Sequence, residues 1–114
     1  MSADGLATVL DAFARRDLDA AAACFAAGAT YREARREPIV GRAAIAAHFA
    51  RFAAAAPAWR FDAEDVIGGG DRACVVYRFS TPGGAGGPWR ERAGCAVVQL
   101  DERGEILEWR EYEA

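Results

Sequence analysis

The sequence predicts an α+β domain in which three helices, all in the first half, cover one face of an antiparallel sheet built mainly by the second half. Three observations point there. Apolar residues recur with helical spacing up to Pro57; after Trp59 they alternate with a period of two; and the alternating runs are separated by glycine-rich turn material that makes consecutive hairpins.

Each element has its own signature. Leu6, Val9, Leu10 and Phe13 form one apolar stripe behind a possible cap at Asp4, giving the first helix. Asp17 caps a second helix, whose buried face is Leu18, Ala21, Ala22 and Phe25 and whose stop is Gly28. The segment "ATYREARREPIV" then runs extended, interrupted at Pro38. Gly41 opens a third helix with Ile45, His48, Phe49 and Phe52 on one stripe, and Pro57 ends it. Four strand-length runs follow: "AWRFDAEDVI", "RACVVYRFS", "WRERAGCAVVQL" and "EILEWREY", separated by "GGGD", "TPGGAGGP" and "DERG". The glycine clusters are hairpin turns rather than phosphate loops, because neither opens a helix nor carries the lysine of a P-loop.

Composition bounds the function. The 114 residues suffice for one domain, residues 1–114, with a core of its own. The formal net charge is -3, and arginines are scattered among acids, so no nucleic-acid partner is expected. No apolar stretch reaches the length of a membrane span, and "MSADGLATVL" lacks a signal peptide's basic and apolar regions. A cytoplasmic protein without a membrane partner is expected. Cys24, Cys74 and Cys95 form no CxxC pair, which fits a reducing compartment and packing thiols. With His48 the single histidine, no metal site is expected, and no cofactor either.

The last hairpin carries the chemistry. In "ILEWREYEA", alternation puts Leu107, Trp109 and Glu111 on one face. Either closure of the "DERG" turn pairs Val98 with Leu107, Ala96 with Trp109 and Gly94 with Glu111, and makes Arg92 a diagonal neighbour of Glu111. In the preceding hairpin, Ala73, Val75, Tyr77 and Phe79 form the inward set. Large residues opposite small ones leave space above Gly94 and Ala96, and an alanine-rich helical cover leaves the middle incompletely filled. This describes a pocket for a small, mostly apolar ligand. Burial would raise the pKa of Glu111 and Arg92 would lower it, so Glu111 reads as either ionised base or protonated acid.

The order of elements, "DLDAAAACFA", "ATYRE" with "EPIVGRAAIAAHF", and the closing "GEILEWREY" together resemble the SnoaL-like, nuclear-transport-factor-two-like superfamily over almost the whole chain. The resemblance implies a cone: a curved antiparallel sheet wrapped around helices and an internal cavity, often paired as a homodimer through the outer sheet face. Within the superfamily, "WRERAG" and "EWREY" are similar to strands of limonene-epoxide hydrolases. That similarity implies Arg92 for the arginine, Tyr31 for the tyrosine, Glu111 for one aspartate and Glu33 for the asparagine, while the second aspartate falls on Gly94. Ketosteroid isomerases are similar through "DLDAAAACFAAGATYRE", with Glu33 in place of the proton-abstracting aspartate. Polyketide cyclases of the SnoaL type share the cavity.

The expected catalytic set is therefore Glu33, Arg92, Glu111 and Tyr31, with His48, Phe49, Phe52, Tyr77 and Trp109 binding the substrate. The leading expectation is a cofactor-independent acid–base enzyme, an isomerase, cyclase or hydratase/hydrolase of the epoxide-hydrolase kind, acting on a small apolar oxygenated molecule. A binding protein using the same cavity, or a dimerisation module, are the alternatives. In both, Glu111 with Arg92 is a structural ion pair and Glu33 belongs to a solvated edge with Arg32, Arg35 and Arg36. The outward set, Trp89, Cys95, Val97, Cys74, Val76 and Tyr112, is apolar enough to expect a homodimer interface.

Overall fold

The computed structural model describes residues 2–56 and 58–114, with side chains described from Gly5 onward. Helix α1 (Ser2–Ala14) buries Leu6, Val9, Ala12 and Phe13 on one stripe, as its spacing requires. Asp4 falls inside this helix, and its side chain lies outside the described residues. Helix α2 (Leu18–Ala23) starts where Asp17 accepts a hydrogen bond from the Ala20 backbone N–H at 3.1 Å. It stops earlier than the sequence suggests. Phe25 and Gly28 belong to strand β1 (Phe25–Arg32), because the β-branched and aromatic residues beyond Gly28 recruit the preceding alanines into a strand.

After a turn at Ala34–Arg36, the two-residue strand β2 (Ile39–Val40) pairs antiparallel with β1. Helix α3 (Arg42–Ala55) follows Gly41, which sits at φ +98°, a conformation glycine adopts freely. Ile45 and Phe49 are its buried residues, while most of its alanines face outward. Pro57, expected to end this helix, lies outside the described residues.

The remaining strands are β3 (Arg60–Gly69), β4 (Arg72–Thr81), β5 (Arg90–Leu100) and β6 (Ile106–Glu113). All six strands form one sheet in the order β2-β1-β6-β5-β4-β3. Neighbours are antiparallel except β1 and β6, which run parallel. The helices lie on the inner face, where Val75, Ala96, Val98, Ile106 and Trp109 are wholly buried beneath them. This is the α+β cone, its sheet bent by register shifts in the β3–β4, β5–β6 and β1–β6 pairs.

One shift corrects the sequence reading. The "DERG" turn closes on Asp101 and Glu105, and Leu107 is then left as an extra residue between the Leu100–Ile106 and Gln99–Glu108 pairs. Beyond this bulge, Val98 faces Trp109, Ala96 faces Glu111 and Gly94 faces Glu113. The pairing is displaced by two residues from the expected one. The turn contributes one residue of slip and the bulge a second, so the inward parity of Trp109 and Glu111 survives. Leu107 does not share their face; it is 39% exposed, and Ile106 is buried instead.

Candidate functional site

The parallel β1–β6 pairing builds the centre of the site. Tyr31 is in register with Trp109, so the residues two further along each chain segment, Glu33 just past the end of β1 and Glu111 on β6, emerge side by side. The Tyr31 hydroxyl lies 3.5 Å from Glu33 Oε2 and 3.4 Å from Glu111 Oε2. It has one proton, so it donates to one carboxylate at a time. Helix α3 adds His48, whose Nε2 is 3.0 Å from Glu33 Oε2. From below, the Trp109 indole N–H donates to Glu111 Oε2 at 2.9 Å. His48, Glu33, Tyr31, Glu111 and Trp109 thus form one continuous hydrogen-bonded row.

Electrostatics follow from where this row sits. Burial, countered in part by the indole hydrogen bond, and then the charges of Glu33 and Glu113, push Glu111 up from 4.5 to about 7. Tyr31 is raised well above its ordinary value by burial first, then by Glu111 and Glu33, so it stays a neutral donor.

These groups open into a pocket of about 570 Å³. Its apolar wall is aromatic: Phe13, Phe49, Phe52, Trp59, Phe61 and Phe79. Tyr77 joins them, stacked on Phe61 with ring centroids 5.5 Å apart. Of the residues expected to bind a substrate, His48, Phe49, Phe52 and Tyr77 line the pocket. Trp109 does not. It is wholly buried, with Phe13 packed edge-on against it at 5.5 Å, and reaches the site only through its hydrogen bond to Glu111.

Arg92 also lines the pocket, but its expected partner is wrong. Because the hairpin register is displaced by two, Arg92 Nε lies 3.8 Å from Glu113 Oε2, and its guanidinium stands over the Phe79 ring at 5.3 Å. Glu113 was missed as a site residue, although it continues the period-two series of Trp109 and Glu111. Arg36 and Arg51 were missed too, and both line the pocket. Among the described residues, no group of three or more His, Cys, Asp or Glu side chains is arranged to hold a metal ion. No described helix is long and apolar enough to cross a membrane.

A curved sheet closed by three helices over a pocket holding carboxylates is the architecture of nuclear-transport-factor-two-like proteins. Residues 6–109 match the SnoaL-like domain, and the chain belongs to that family. No curated protein sequence matches it. Similar solved structures include TerC co-crystallised with polyporic acid, at TM-score 0.83 and 12% identity, covering 99% of this chain and 91% of that one. A protein of ketosteroid isomerase-like fold from Catenulispora acidiphila, in complex with trimethylamine, has TM-score 0.81 and 17% identity over 96% of this chain and 84% of that one. A proposed polyketide cyclase from Xanthomonas campestris pv. campestris has TM-score 0.75 and 20% identity over 97% and 88% of the respective chains. At these identities the likeness is one of fold.

Proposed function

We propose that this protein is a cofactor-independent acid–base enzyme that moves a proton on a small, mostly apolar oxygenated molecule, as in isomerisation, cyclisation or hydration. The observation that carries the reading is the Tyr31 hydroxyl placed between Glu33 and Glu111, 3.5 and 3.4 Å away. Two carboxyl groups of unlike environment divide the work: Glu111, raised to about 7, delivers a proton, and Glu33, steadied by His48 at 3.0 Å, accepts one. Negative charge then passes from Glu33 to Glu111. Tyr31 follows it by switching its donated hydrogen bond. After product leaves, Glu33 returns its proton to the Tyr31 oxygen while Tyr31 passes its own to Glu111, and the site is reset without net gain or loss. Fold neighbours that include a proposed polyketide cyclase, and TerC with its bound polyporic acid, support the same class of chemistry and ligand.

The test is turnover of enones, epoxides and polyketide-like compounds by the wild-type protein and by Glu33→Gln and Glu111→Gln. Each substitution is expected to lower kcat by roughly 10²–10⁴-fold. Activity of the wild type is expected to decline above pH of about 7, where Glu111 loses its proton. An accepted substrate turned over equally well by both variants would overturn the assignment.

A further inference from the structure

Two features of the pocket lie beside the proton row. The first is the Tyr77 hydroxyl. Tyr77 is 2% exposed and lines the pocket, and its hydroxyl oxygen is buried without a hydrogen-bond partner. Burial, then the charges of Glu111 and Glu113 and a loose approach to the Glu111 carboxyl, hold its proton in place, so it is a permanent donor with no well-formed acceptor. A buried donor left unsatisfied is unfavourable, and a ligand oxygen that accepts from it removes the penalty. Gly94, directly across in the β4–β5 pair, makes room for the Tyr77 side chain itself: a Cβ there would stand 2.9 Å from the Tyr77 hydroxyl oxygen.

The second feature is a set of three arginines on the solvent side, from three separate elements: Arg36 after β1, Arg51 on α3 and Arg92 on β5. Other exposed arginines hold carboxylates tightly, Arg15 with Asp11 at 2.8 Å and Arg78 with Glu64 at 2.6 Å. Among the described residues, Arg36 and Arg51 have no ion-pair partner, and Arg92 has only Glu113 at 3.8 Å. The pocket's acids offset them only in part, because neither Glu33 nor Glu113 pairs with Arg36 or Arg51. Glu33 is engaged by His48, and Glu113 lies between Arg92 and Arg35, 3.8 Å from each.

Resting on the acid–base reading, we propose that the ligand is an amphiphilic anion. A flat conjugated body fills the aromatic pocket, a carboxylate or acidic enolate meets Arg36, Arg51 and Arg92 at the mouth, and an inner carbonyl oxygen accepts from Tyr77. A guanidinium presents a planar fork of donors that matches such an oxyanion and stacks on aromatic faces, as Arg92 does on Phe79. The pocket volume of about 570 Å³ falls in the range of small-molecule sites.

The test is calorimetric binding, without turnover, of two matched pairs: acetylnaphthoate against its carboxamide, and hydroxynaphthoquinone against its methyl ether. The first pair reads a carboxylate and the second an acidic enolate. In at least one pair the acid is expected to bind ~10-fold or more tightly than its neutral partner, as charge-assisted hydrogen bonds imply. The double substitution Arg36→Gln, Arg51→Gln is expected to abolish that preference. Tyr77→Phe should weaken acid and neutral partner by a similar factor, since it removes the donor at the inner end only. Neutral partners binding as tightly as the acids in both pairs, a preference that survives loss of both arginines, or no binding of any probe at millimolar concentration would each overturn the proposal. The acid–base reading is judged separately, by turnover in the glutamate variants.

Discussion

Glu111 shows how a single side chain can work against the fold that holds it. Trp109 and Tyr31 donate to it, and Glu33 and Glu113 repel its charged form. A carboxyl group whose pKa is higher in the folded than in the unfolded chain stabilises the fold most where both states are protonated. That contribution is complete below about 4.5 and is lost as the pH rises through about 7. The span from 4.5 to about 7 corresponds to roughly 3 kcal/mol as an upper bound. Glu111→Gln keeps the shape and removes the titration. Denaturant unfolding at a series of pH values should therefore show the variant gaining on the wild type between these limits, with a constant difference above them. Parallel stability curves would mean that Glu111 carries its charge as easily folded as unfolded.

The β5–β6 hairpin shows the same economy at the scale of an element. Gly94 sits where a Cβ would stand 2.5 Å from the Tyr112 backbone oxygen as well as against Tyr77, so an alanine cannot enter without displacing a strand. Gly94→Ala is expected to lower stability by ~1–3 kcal/mol, as overpacking does, and thermal unfolding measures it. An unchanged Tm would mean that the strands separate freely here. The hairpin also marks where the sequence is legible. Periodicity placed Tyr77, Trp109 and Glu111 on the inner face, and the cap at Asp17 fixed the start of α2, because these depend on residues close in the chain. The Arg92 partner was not legible. It depends on two slips, one in the turn and one at Leu107, that leave parity intact and so leave no trace in the alternation. The row through Tyr31 was half legible: Glu33, Tyr31 and Glu111 were each visible, but their adjacency comes from the parallel β1–β6 register, which joins residues about eighty apart.

At the scale of the whole molecule, the inner face of the sheet is taken up by core and pocket, and the outer face remains. There Ile67, Cys74, Val97 and Arg110 lie in one cross-strand row, and Asp65, Val76, Cys95 and Tyr112 in the next. Ile67 is 56% exposed and Tyr112 44%, so the apolar patch runs over four strands and no described element covers it. The homodimer expected from the sequence would bury this patch against a second copy, with the two pockets facing away from the interface. Val76→Glu places a charge in the middle of the patch while leaving the inner face untouched. Sedimentation equilibrium should then give a dimer for the wild-type protein and a monomer for the variant, and the monomer should still bind the matched acids in its own pocket. A wild type that sediments as a monomer at all concentrations would reject the interface. A monomeric variant that has lost the ligand would show instead that the outer face holds the pocket in shape, because the two faces share the same strands and meet only through the backbone between them.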